Sequence, residues 1–169
     1  MAILDVVPTD YVYGHVDRAL ATAYFHWFLF IQPEPLPEQL IEPNAISFLH
    51  WALGSFGSAA DAYAPEALAE YERCFDDPAM IHALCEDYRA GASIDLEHDA
   101  QDRHRRIDRP VHLIWGGRSV VGALYDPVAV WRDYATNVQG QALDAGHFLV
   151  EERPVETLAA LRDFLNPDH

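Results

Sequence analysis

Apolar positions along the chain gather in two kinds of segment, short β-branched runs and longer helical stripes, and the two kinds alternate. Ile3 to Val7 is a short apolar run, interrupted by Asp5 and ended by Pro8, the pattern of a buried parallel strand with the aspartate inside it or at its carboxyl end. From Asp17 to Ile31 the sequence "DRALATAYFHWFLFI" is apolar nearly all round, which predicts one buried helix stopped by the prolines of "QPEPLP". Pro65 opens a helix at "PEALAEYERCF", and Asp77 with Pro78 supplies a cap and first turn for another that ends at Gly91. In the latter, Ile81, Leu84, Cys85 and Tyr88 share one face.

After the polar stretch "DLEHDAQDRHRRI", Pro110 introduces "VHLIWGG", a second buried-strand pattern. Its glycine turn leads to a helix capped at Asp126 and Pro127. A third strand is expected from Val138 to Leu143, then a loop carrying His147. A final helix follows from Pro154 to Leu165, with Leu158, Leu161 and Leu165 on one stripe. Strand, long helical insertion, strand, helix, strand, helix: this order predicts an α/β fold with a mostly parallel sheet. Residues 1–14 and 108–169 form the expected core and 15–107 the inserted helical cap.

Composition narrows the function classes. The chain has 169 residues, half of them hydrophobic, which is the length and apolar content of one domain able to bury a core. Its net charge of -16, from 11 basic and 27 acidic residues, argues against a nucleic-acid surface and against binding anionic lipid. Cys74 and Cys85 lack CxxC spacing and fall in helical segments, which predicts reduced thiols and a cytoplasmic location. The opening "MAILDVVPTD" has neither a basic flank nor a long apolar run, so no signal peptide or membrane span is expected. The nine histidines show no ligand spacing such as HExxH, and neither a metal nor a cofactor is expected. His98 and His104 read as parts of a charged, solvated face.

In open α/β sheets the working groups collect beyond the carboxyl ends of the strands. Asp5 and His147 both fall at such places, and a carboxylate holding one imidazole nitrogen leaves the other free to take a proton. Equally, Asp5 can cap a turn and His147 can bond to backbone. The nucleophile for such a pair should sit in a G-x-S-x-G or G-x-D-x-G elbow, and neither occurs. "GSFGS", Gly54 to Ser58, has the wrong glycine spacing and is expected in a helical region. Ser119 in "GGRSVVG" is the better of the two serine candidates. His26 and Trp27 are polar-tipped residues in an apolar helix, and Tyr88 lies on an apolar helical face. Each is either a core side chain or a hydrogen-bond donor to an anion.

Taken in order, "LDVVPT", "AYFHWFLFIQPEPLPE", "EDYRAGASIDLEHD", "YDPVAVWRDYA" and "AGHFLVEERP" resemble the later part of the haloacetate dehalogenases, members of the α/β-hydrolase superfamily. The likeness covers essentially the whole chain. It implies an α/β-hydrolase fold holding the last three strands of a parallel sheet and an inserted helical cap. It further implies Asp5 as the acid and His147 as the base of a catalytic triad, with His26, Trp27 and Tyr88 holding a departing halide. The substrate implied is a small 2-haloacid, and the complete family forms homo-oligomers. Family members carry their nucleophilic aspartate upstream of the position of Ile3. The resemblance therefore implies a nucleophile supplied by an amino-terminal hydrolase portion, as partner or lost segment. The alternatives are a noncatalytic or split-enzyme binding module and an ester hydrolase of the same superfamily.

Overall fold

The computed structural model describes residues 1–59 and 61–166. Three strands, β1 (Ala2–Leu4), β2 (Val111–Gly116) and β3 (Val138–Leu143), form one parallel sheet in the order β1-β2-β3. Ile3 pairs with Leu113, and Leu113 in turn with Gly140. Alternation along the strands divides the side chains between two layers. Leu113 packs with Ile3, Val138 and Trp131 on one face, while Ile114 packs with Leu4, Leu143 and Leu161 on the other. Covering helices come from the carboxyl-terminal part of the chain. They are α9 (Val120–Leu124), α10 (Pro127–Trp131), α11 (Leu149–Glu152) and α12 (Pro154–Leu165).

Eight α-helices stand between β1 and β2 among the described residues. They are α1 (Thr9–Gly14), α2 (Arg18–Ala23), α3 (Phe25–Phe30), α4 (Leu36–Ile41), α5 (Ala45–Leu53), α6 (Pro65–Phe75), α7 (Pro78–Gly91) and α8 (Ile94–Asp102). Proline starts α6 and α7 where the sequence places it, and the Asp77 carboxylate accepts the Ala79 N–H at the head of α7. Helices α3 to α7 enclose a core of their own, with Phe30, Ile41, Leu49, Phe75, Ile81 and Cys85 at its centre. Fully burying an isoleucine such as Ile41 or Ile81 contributes about 1.5–3 kcal/mol. The expected face of α7 is the one that packs here, with Leu84 and Tyr88 half-buried beside Ile81 and Cys85.

Four local expectations are corrected. The first strand stops at Leu4 rather than reaching Val7, because Asp5 turns the chain with a φ of 46°. Val7 then buries itself against Val12, Leu20 and Val121 instead of in the sheet. The helix expected from Asp17 to Ile31 breaks at Tyr24, whose φ of -112° and ψ of 39° end α2 before α3 begins. In an unbroken helix, residues two apart point to different sides. The break lets Tyr24 and His26 line the same cavity. "GSFGS" is not helical: α5 ends at Leu53 and the segment loops back, with Phe56 and Gly57 both at positive φ. In α12 the residues turned inward are Thr157 and Ala160, with Leu161 and Phe164 half-buried. Leu158 and Leu165 lie exposed. Cys74 and Cys85 are unpaired thiols. Among the described residues no helix is long and apolar enough to cross a membrane.

Candidate active site

Asp5 stands just past the end of β1, where its N–H still donates to the Ile114 carbonyl at 2.8 Å. Its positive φ swings the carboxylate away from the sheet's hydrogen-bonding line; aspartate is among the few side chains enriched in that conformation. Three donors converge on the carboxylate. Oδ1 accepts the Gly116 N–H at 2.9 Å and the Ser119 hydroxyl at 2.7 Å, and Oδ2 faces His147 Nδ1 at 2.6 Å. Since an ionised carboxylate can only accept, Nδ1 carries the proton of that bond. Asp5 is almost wholly buried, whereas the His147 side chain is 35% exposed. Among the described residues His147 Nε2 has no hydrogen-bond partner, so a lone pair is available for a proton from the cavity side.

A cavity of about 300 Å³ opens beside this pair, lined by Asp5, His26, Trp27, Tyr88 and His147 together with Tyr24, Phe56 and Tyr125. Other hollows of similar size lie between α1 and α8 and against α6, but neither contains a base joined to a buried acid. The five residues singled out in the sequence thus share one cavity, though they come from the turn after β1, α3, α7 and the loop before α11. His26 and Trp27 meet Tyr88 edge-on, at 6.0 and 5.8 Å between ring centroids. Tyr24 stacks on Trp27 with the rings nearly coplanar in orientation, 5.6 Å apart. Phe56 stands edge-on to His147 at 5.9 Å and 4.9 Å from His26.

Burial sets the protonation of the wall. His26 is pushed down to about 4, first by loss of solvent and then by the neighbouring His147, so it is neutral near pH 7. Its Nδ1 is buried without a partner among the described residues. Tyr88 is pushed up to about 12 by burial, with smaller contributions from Asp87 and Tyr13, and keeps its O–H. The Tyr125 hydroxyl is also buried without a partner among the described residues, and burial raises its pKa. The cavity is therefore an apolar hollow with a base at one side and uncharged donors around it. Hydrogen-bond donors in such a wall favour a ligand that accepts hydrogen bonds.

Several contributors were not found in the sequence. Ser119, considered there as a nucleophile, is fully buried; its Oγ donates to Asp5 and accepts the Gly122 N–H at 3.0 Å, capping α9. Ser58 and Glu152 hold the His147 loop from behind. Tyr24, Phe56 and Tyr125 complete the lining. Only the glycine-rich look of "GSFGS" hinted at a special backbone, and nothing local tied it to His147. His98 and His104 are exposed, away from the cavity. Among the described residues no group of three or more His, Cys, Asp or Glu could hold a metal ion.

A parallel sheet with a buried aspartate beyond one strand bonded to a histidine in the loop after a later one, under a layer of helices, places the chain in the α/β-hydrolase superfamily. More particularly, it is 38% identical over 167 residues to fluoroacetate dehalogenase of Burkholderia sp, covering 98% of this chain and 55% of that protein. A solved structure assigned as an α/β hydrolase, from Nostoc sp PCC 7120, is 50% identical with a TM-score of 0.95. It is matched over 98% of this chain and 57% of its own length. One assigned as an epoxide hydrolase, from Pseudomonas aeruginosa, is 39% identical with a TM-score of 0.91, over 98% and 56% respectively. The chain thus spans little more than half the length of these relatives. No family model matches it.

Proposed function

We propose that the chain carries the base, acid and halide-binding wall of a hydrolase that cleaves the carbon–halogen bond of small 2-haloacids. The observation that carries this reading is the Asp5–His147 pair at 2.6 Å, opening on a cavity walled by His26, Trp27 and Tyr88. In this reaction a carboxylate attacks the α-carbon of the haloacid and the halide leaves with the bonding electrons, giving an ester. Water then adds to the ester carbonyl, losing its proton to His147 Nε2, and collapse releases the 2-hydroxyacid and the carboxylate. Asp5 stabilises the imidazolium that forms. Charge grows on the halide only as the bond breaks, so donors fixed around it lower the barrier. Neutral His26, the Trp27 indole and the protonated Tyr88 are donors of that kind, and fluoride, the poorest leaving group, gains most from them.

The carboxylate nucleophile is proposed to come from outside these 169 residues, from an amino-terminal hydrolase portion joined to or partnered with this chain. The missing elbow motif and the half-length match to the dehalogenase support this. The test is halide release from fluoroacetate and chloroacetate, with an epoxide and a simple ester as competing substrates. The chain alone should release nothing above background. Adding the amino-terminal portion of the Burkholderia sp dehalogenase in trans should give release that His147→Ala abolishes. Sustained release by the chain alone, lost in His147→Ala, would mean that a nucleophile lies within it. Turnover of the epoxide or ester but neither haloacid would transfer the site to another hydrolase reaction.

A further inference from the structure

The His147 loop is gripped from the side away from the cavity by a buried carboxylate and a serine that the proposed reaction does not use. Glu152, in α11, has a side chain 3% exposed. Its Oε2 accepts the Gly146 N–H at 2.9 Å, and its Oε1 accepts the Ser58 hydroxyl at 2.8 Å. The Ser58 oxygen in turn accepts the His147 N–H at 3.1 Å. The consecutive amides of Gly146 and His147 are thus held by one carboxylate, directly at the first and through a hydroxyl at the second. Arg118 lies 3.4 Å from Glu152 and offsets part of its buried charge.

Backbone packing makes the grip rigid. A Cβ on Gly146 would stand 2.3 Å from the Gly57 carbonyl carbon and 2.4 Å from the Ser58 nitrogen, so the two loops touch main chain to main chain. Gly57 has a φ of 80°, and Phe56 before it, at 58°, is a strained non-glycine residue whose ring lies against both His147 and His26. One short loop from the inserted helices therefore lines the cavity with Phe56 and fixes the base loop with Ser58.

We propose that Ser58 and Glu152 are positioning residues that hold the His147 ring in register with Asp5, so that the strength of the base depends on the seating of the 54–58 loop. This rests on the reading of His147 as a base paired with Asp5, but not on any substrate. A hydrogen bond to an ionised group in a buried site is among the stronger protein hydrogen bonds, and its geometry tolerates little drift. Release of the amides of Gly146 and His147 lets the loop, and with it the ring, move off the Asp5 carboxylate.

The experiment is proton NMR of the purified chain, following water exchange of the His147 Nδ1 proton directed at Asp5. The Trp131 indole proton, held by the Val6 carbonyl at 2.9 Å, serves as a reference for the fold. Ser58→Ala and Glu152→Gln should each speed exchange of the His147 proton about tenfold while the Trp131 proton is unchanged. Unchanged exchange at His147 in both variants would overturn the clamp and leave the base intact. Equal acceleration at Trp131 would also overturn it, because the substitutions would then only loosen the fold. Absence of a protected Nδ1 proton in the unsubstituted chain would instead sink the acid–base pair, and the clamp with it.

Discussion

Asp5 and His147 are 142 residues apart in the chain and 2.6 Å apart in the fold, joined where β1 and the loop after β3 meet beyond the end of β2. The same carboxylate binds the Gly116 N–H and the Ser119 hydroxyl, so it both orients the His147 ring and ties the sheet to α9. Asp5→Asn keeps the shape and, like aspartate, accepts the positive φ at this position, so its effect isolates the charge. One of the three donors then meets an amide N–H₂. The expected result is a loss of about 1–3 kcal/mol in urea unfolding, along with loss of any His147-dependent hydrolysis. An unchanged midpoint would mean that the charge and the one lost bond contribute nothing net.

His26 gives a signed dependence on pH. Its pKa falls from 6.5 in the unfolded chain to about 4 in the fold, so between these values the unfolded state binds more protons. The stability it confers is complete above pH 6.5 and is lost progressively as the pH falls toward 4, amounting to up to about 3 kcal/mol. His112, stacked on Phe164 with both ring nitrogens buried and without a partner among the described residues, is shifted in the same direction by burial and steepens the loss. Urea midpoints measured from pH 7 to 4 should decline less steeply in His26→Phe than in the unsubstituted chain. An equal slope would show that His26 charges freely in the fold.

Much of the fold was legible because local pattern and tertiary demand agree. Strands β2 and β3, the proline starts of α6, α7 and α12 and the Gly91 stop lie where the sequence places them. The failures occur where distant contacts decide the local conformation. Tyr24 breaks the α2–α3 segment to stack on Trp27, and "GSFGS" loops because Gly57 must meet Gly146. The site divides in the same way. Asp5 and His147 could be placed at strand ends by the rule for open sheets, but Ser58, Ser119 and Glu152 gain their roles from partners 94, 114 and 6 residues away. No periodicity encodes such pairings. His26, Trp27 and Tyr88 came together in the sequence only through likeness to a family.

Gly57 should be among the least replaceable residues. Besides its φ of 80°, an added Cβ would lie 2.0 Å from the Arg118 carbonyl oxygen, a backbone atom that cannot rotate away. Gly57→Ala is expected to cost roughly 3 kcal/mol or more, against about 1 kcal/mol or less for Gly14→Ala, where nothing lies within 4 Å. Urea unfolding of the two variants in parallel checks this. Similar midpoints would show that the 54–58 loop shifts cheaply.

If the wall holds a departing halide, the donors should matter in proportion to the charge that leaves. In the complex reconstituted with an amino-terminal dehalogenase portion, Trp27→Phe removes the indole N–H and keeps an aromatic ring beside Tyr24. Fluoride release should fall roughly tenfold or more, and chloride release by less. Tyr88→Phe should act in the same direction, and the effect should persist into alkaline solution because Tyr88 keeps its proton up to about pH 12. Equal losses with both halides would assign Trp27 and Tyr88 to packing.

The sheet itself carries the last prediction. Among the described residues β1 pairs only with β2, so one edge of a parallel sheet is left open, a class of sheet that is ordinarily covered and extended. Apolar surface accompanies the edge. Met1 and Val6 on either side of β1 are 49% and 43% exposed, and α12 turns Val155, Leu158 and Leu165 outward at 75%, 47% and 62%. An unpaired edge of backbone donors and acceptors recruits another strand, and uncovered apolar stripes recruit another face. The net charge of -16 opposes association at low salt and is screened as salt rises. The purified chain should therefore associate at micromolar concentration, more strongly at about 0.5 M than at about 0.05 M salt. An amino-terminal hydrolase portion supplied in trans should compete with that association. Sedimentation velocity decides it: a monomer at both salt concentrations would mean that the three strands and their helices close their own core.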